Sequence, residues 1–207
     1  MTRMVARTSW TEHDDGPRED HIVRLHDATW ADYQRLLAIR GDHSAPRIAF
    51  LEGEIEIMSP SDSHESIKGR IGRLVEAWCL ERGVEFTTYG SWTLANQKKQ
   101  RGAEPDECYV FGVVAAPKRP DLAIEVVWTS GGIDKLEIYR KLGVREVWYW
   151  RKGRITPYRL SGKRYEAMTA SEVLPALDLD ELASFLDRPT TSQSIREYRA
   201  ALLKRGK

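Results

Sequence analysis

Glu125 stands in residues 122–128, the most apolar stretch of the chain. Side chains of a strand alternate between faces, so Leu122, Ile124, Val126 and Trp128 would share one face and Ala123, Glu125 and Val127 the other. Both faces are apolar apart from Glu125, which marks a central strand covered on both sides. A carboxylate buried there needs a Lys or Arg partner or a metal ion, because an unpaired buried charge is very costly. Lys135 is the complementary anomaly. On a helix over 133–142, Leu136, Ile138, Tyr139 and Leu142 share one arc, and Lys135 projects into its middle, one turn before Tyr139. The first helical turn disfavours a cation, so either an acidic group lies close by or the side chain snorkels to solvent. His64 extends the stripe Ile67, Ile71, Leu74, Val75 and Trp78 of a helix over 62–81, and so faces the sheet from that helix's N-terminus. A histidine so placed is more often a hydrogen-bonded core residue than a ligand. Asp106 follows Pro105, which has no N–H to donate, at the mouth of a strand, a place an ordinary turn aspartate also fills. Carboxylates such as these are hard oxygen ligands of the kind Mg²⁺ or Mn²⁺ takes.

These side chains must be held by elements that the pattern of apolar residues and breakers defines. Helices are expected from just after Asp27 to about Arg40, over 62–81 (closed by Gly83), 133–142 (entered through Gly131-Gly132 and closed by Gly143), 179–186 and 192–204. Strands are expected over 47–51 and 54–58, joined by a turn at Glu52-Gly53, and then over 85–89, 92–95, 107–111 and 122–128. Three more follow over 146–150, 155–160 and 164–168, with turns at Lys152-Gly153 and Ser161-Gly162. Helices and strands mix without strict alternation. That pattern predicts an α+β fold, a mixed sheet flanked by helices, rather than a doubly wound parallel sheet. Residues 1–20 read as a loose arm, 21–187 as the folded domain and 188–207 as a basic C-terminal helix.

The 207 residues carry 41% apolar and 30% charged side chains, enough for a core and far from the composition of a disordered chain. No apolar run is long enough for a transmembrane helix, and residues 1–20 contain no secretory h-region. Cys79 and Cys108 make neither a disulfide framework nor a zinc cluster, so the expected setting is the reducing cytoplasm. A net charge of +1 excludes a strongly basic binder by its total. Lys98, Lys99 and Arg101 cluster, as do Arg188, Arg196, Arg199, Lys204, Arg205 and Lys207. Either cluster could track phosphates, but taken alone each reads as solvated surface.

Taken in order, the motifs resemble a known family. They are Leu51-Glu52-Gly53-Glu54, Met58-Ser59-Pro60 with His64, Pro105-Asp106, residues 121–126 ending in Glu125-Val126, and Lys135-Leu136-Glu137-Ile138-Tyr139 followed by Gly143-Val144 and Trp148. Over roughly residues 27–187 the chain resembles the Uma-two family of restriction-endonuclease-like proteins, within the PD-(D/E)XK nuclease superfamily. Pro-Asp alone says little; the ordered set is specific.

The resemblance implies a restriction-endonuclease-like core with a mixed central sheet, an N-terminal helix and a C-terminal helical tail. It implies a metal-dependent endonuclease acting on nucleic acid, above all DNA, with Mg²⁺ or Mn²⁺ held by Asp106, Glu125 and the Val126 carbonyl. In the superfamily's usual motif the lysine lies two residues after the second acid, where this chain has Val127. The family instead draws its lysine from the next helix, which matches Lys135, and its histidine matches His64. A homodimer is expected by analogy with enzymes that cut both strands of a duplex. The competing expectation is a non-catalytic module that keeps the fold and binds nucleic acid or protein.

Overall fold

Five consecutive buried residues, Leu122–Val126, form the strand from which the molecule is organised. The computed structural model describes residues 19–90, 92–128 and 132–205. In chain order these form β1 (His21–Leu25), α1 (Trp30–Arg40), β2 (Arg47–Leu51), β3 (Glu54–Ser59), α2 (Asp62–Arg82), β4 (Phe86–Thr88), β5 (Leu94–Asn96), β6 (Arg101–Ala103), β7 (Glu107–Phe111) and β8 (Leu122–Val126). Then come α3 (Lys135–Leu142), β9 (Glu146–Arg151), β10 (Arg154–Ser161), β11 (Arg164–Ala167), α4 (Leu179–Ala183) and α5 (Thr191–Arg205). The fold is α+β. The expected arm lies outside the described residues over 1–18, as do Gly131 and the last basic residue of the tail, Lys207.

Among the described residues two sheets form. The smaller runs β1-β3-β2-β6-β5 and is antiparallel throughout. The larger runs β11-β10-β9-β8-β7-β4 and is mixed, because β8 and β9 pair in parallel. Parallel neighbours need a crossover, and α3 supplies it. Alternation along β8 sorts the core as the sequence predicts. Leu122, Ile124 and Val126 pack with Trp148 and Trp150 against Ile71, Leu74, Val75 and Trp78 of α2, with α4 and α5 beyond. Ala123 faces the other way, onto Ile138 and Tyr139 of α3 and onto Ala49 and Ala103 of the smaller sheet. Glu125 belongs to this second face, between α3 and the smaller sheet.

Helix ends follow their side chains. Ser61 caps α2, its hydroxyl accepting from the His64 N–H, and Gly83 closes the helix in the left-handed region at φ 65°. Asp134 caps α3 by accepting from the Glu137 N–H, so that helix begins at Lys135, two residues later than the pattern predicts. Thr29 and Asp32 form a capping box, which starts α1 at Trp30 rather than directly after Asp27.

Other differences have physical reasons. The β8 strand ends at Val126, not at 128. Strands β1 and β6 carry no periodic signal: the first is largely exposed, and the second is three residues long. Pairing with β3 and with β2 and β5 makes them strands. Arg101 is not solvated surface but 2% exposed, donating to Glu52 at 2.7 Å and Glu137 at 3.3 Å. No helix among the described residues is long and apolar enough to cross a membrane.

Gly102 of β6 lies beneath the buried Tyr33 of α1, and a Cβ there would overlap the phenol ring and its hydroxyl. Tyr33 is itself fixed by ring contacts with Trp30 and Phe50. Gly102→Ala should therefore destabilise the protein by about 1–3 kcal/mol through overpacking, read as a lower urea midpoint at constant m-value.

Candidate active site

Glu125 is 1% exposed. Its Oε2 accepts from Lys135 Nζ at 2.5 Å and its Oε1 from the Tyr139 hydroxyl. Lys135 and Tyr139 are four residues apart on α3 and so share a face, which lets one short helix supply both donors. Burial pushes the Tyr139 phenol well above its usual range, and the neighbouring Glu125 charge raises it further. The phenol therefore stays protonated and a donor.

Asp106 is fully buried. In the pairing of β7 with β8, Glu107 stands opposite Ile124, and one step beyond that register sets Asp106 against Glu125. Glu104 anchors the approach to β7: its carboxylate accepts from Arg40 at 2.7 Å, the Ile48 N–H at 3.2 Å and the Thr93 hydroxyl at 2.6 Å. Asp106 Oδ2 then accepts from the Val126 N–H at 2.6 Å and faces His64 Nε2 at 3.0 Å, while the Arg47 guanidinium pairs with Oδ1. Arg47 also donates to Glu65 at 2.7 Å. His64 Nδ1 lies 2.9 Å from Asp20 Oδ2. Burial raises the Asp20 carboxyl, but hydrogen bonds from His64 and the Ser61 N–H outweigh it and leave the group below its usual range.

A cleft of about 280 Å³ opens beside this cluster. Glu125, Val126 and Lys135 line it, together with Asp20, Glu56 and Tyr149. Of the residues the sequence singles out, the structure thus brings Glu125, Val126 and Lys135 to one cleft. Asp106 and His64 do not line it; they are linked to its wall through the Val126 N–H and through Asp20.

Sequence reasoning missed Arg47, Asp20, Tyr139 and Glu56. Arg47 heads a strand, where a basic residue usually meets water. Tyr139 reads as one more apolar residue of its helix. Glu56 looks like the wet side of the alternating Glu54–Ser59 strand, yet it is 4% exposed and accepts from the Ile133 N–H at 2.8 Å. The capped loop into α3 lies over it, which the local alternation cannot show.

The donor types fit a hard divalent cation: carboxylates of Glu125, Glu56 and Asp20 reach one cleft, with Asp106 just before the neighbouring strand β7. Among the described residues no three acids, histidines or cysteines are already gathered around one point. Each acid of the expected pair is instead neutralised by its own protein cation, Glu125 by Lys135 and Asp106 by Arg47.

Removing one partner of a buried pair strands the other charge. Arg47→Met should therefore cost about 3–5 kcal/mol in urea unfolding. Adding Asp106→Asn should recover part of that loss; a fully additive double variant would show that Arg47 is held by other contacts.

A family model described as "Uma2: Putative restriction endonuclease" matches residues 30–187. No curated protein matches the chain. Among solved structures it is similar to a crystal structure described as a putative nuclease belonging to DUF820, from Anabaena variabilis ATCC 29413. The identity is 15%, the match covers 78% of this chain and 96% of that one, and the TM-score is 0.47. The family match takes in most of the chain and, of the cluster described above, every residue but Asp20. The chain accordingly belongs to the Uma2 family, the one whose model bears that restriction-endonuclease description.

Proposed function

We propose that the protein is a metal-dependent endonuclease that hydrolyses phosphodiester bonds of DNA, using Mg²⁺ or Mn²⁺. The family is one of nucleases, which act on nucleic acid, and nucleases of this type generally use divalent metals. The observation that carries the reading is the Lys135 ammonium held against Glu125 inside a cleft that Val126 shares. A bound divalent ion would supply charge that polarises a phosphodiester oxygen and makes water more acidic. Glu125 and Asp106 would be its carboxylate ligands, with the Val126 carbonyl beside them. Tyr139 fixes the Glu125 carboxylate by its hydrogen bond. Lys135 orients the attacking water and stabilises charge developing on the phosphoryl oxygens. His64 reaches Asp106 and not the cleft, so its role is to position that carboxylate. Cutting both strands of a duplex calls for two sites, so the working unit is a homodimer acting in the cytoplasm.

The Arg47–Asp106 pair favours a second reading, a nuclease-like module without activity. It keeps one acid neutralised without any metal.

Cleavage of mixed DNA and RNA substrates with Mg²⁺ or Mn²⁺ separates the two. The enzyme reading expects DNA cleavage that Asp106→Ala abolishes together with Mn²⁺ affinity. Lys135→Ala should bind Mn²⁺ as tightly as wild type or more tightly, because a competing cation is gone, while turnover falls by about 10²-fold or more. Full turnover in Lys135→Ala would make it a structural lysine. Nucleic-acid binding with no cleavage under any metal would favour the inactive module.

A further inference from the structure

Basic side chains from separate parts of the chain meet around the C-terminal end of α3. Arg140 and Lys141 come from the helix, Lys163 from the β10–β11 turn and Arg164 from the start of β11; together they line a groove of about 550 Å³. Lys99 joins the edge, its ammonium donating to the Lys141 carbonyl at 2.7 Å. Arg119 reaches the same end, its guanidinium 3.3 Å from where a Cβ on Gly143 would stand.

A helix C-terminus attracts cations, which accounts for Lys99. It also suits Lys141 in the last turn of α3, but it does not account for Lys163, exposed at the tip of a hairpin; neither lysine is in an ion pair among the described residues. The acids lining the groove are already committed. Glu137 accepts from Arg140 at 2.6 and 2.7 Å, Asp134 caps the helix at 3.0 Å, and Arg164 is itself paired with Glu166 at 2.9 Å, so Lys141 and Lys163 are the cations of the groove without an ion pair among the described residues. The groove is thus a basic track beside an acidic cleft, and Asp134 and Leu136 form walls of both. Lys135 and Lys141 lie about 9 Å apart along the helix axis, the rise of about three nucleotides of one strand.

We propose that this groove carries the phosphate backbone of the nucleic-acid substrate, from the cleft along α3 to the β10–β11 turn, by charge and without reading bases. The proposal rests on the nuclease reading of the cleft. It assigns binding to residues outside that cleft.

The test is fluorescence anisotropy of a labelled DNA duplex in EDTA over a range of salt concentrations. Wild type should bind with a steep salt dependence. A Lys141→Ala, Lys163→Ala double variant should bind more weakly, its log–log salt slope smaller by about 1.8 for two lost phosphate contacts. An Arg196→Ala, Lys204→Ala variant of α5, which packs on the opposite face of the sheet, should keep the wild-type slope. Mn²⁺ binding by calorimetry should be unchanged in both. A groove variant with wild-type slope and affinity overturns the proposal, as does an equal loss in both variants. Wild type that binds no duplex overturns it together with the nuclease reading. Wild type that binds through the groove but cleaves nothing sinks that reading alone.

Discussion

A carboxylate placed inside a strand that is covered on both faces must be neutralised where it stands. Glu125 imposes this on the rest of the molecule. The helix that crosses from β8 to its parallel neighbour β9 has to pass over that face, and its first turn has to bring a cation there. Asp134 makes this feasible. By capping α3 and placing a negative charge at its N-terminus, it offsets the penalty for a lysine in the first turn. The apolar residues of the same helix, Ile138 and Tyr139, bury against Ala123 and Val147 and fix its height above the strand. Packing therefore sets the position at which the ion pair closes.

The second charge is solved differently. Asp106 is neutralised by Arg47 from the smaller sheet and held by His64 from α2, so the two sheets and the long helix meet at one carboxylate. The Val126 N–H joins this network to the residue next to Glu125. Buried networks of this kind are cooperative in both directions: complete, they specify one arrangement of the core, and broken, they leave charges stranded. A divalent ion at this place would meet two acids that already have cation partners, and the side chains free to yield are the long flexible ones. Lys135, with its ammonium toward the cleft, is better placed to do so than Arg47, which is enclosed.

Much of this was legible in the sequence because it rests on local periodicity. The faces of β8, the inward aim of Lys135 and the stripe of α2 ending in His64 all follow from counting residues. What was not legible depends on partners distant along the chain. Nothing near Arg47 says that a carboxylate 59 positions later will face it. The strand β6 exists through its neighbours, and Glu56 is buried by a loop from another part of the fold. Boundaries moved where a cap decided them, as Asp134 does for α3. The ordered motifs identified the family where periodicity alone could not.

The claim on which the account depends is that Lys135 holds the Glu125 charge until a divalent ion replaces it. The most direct measurement is NMR of ¹⁵N-labelled lysine ammonium groups, with the Lys135 signal assigned by its absence in Lys135→Ala. In metal-free protein that signal should be protected from exchange, and titration with Mg²⁺ should shift it and remove the protection; in Glu125→Gln it should be unprotected from the start. A Lys135 signal that stays protected and unmoved through the Mg²⁺ titration would contradict the account.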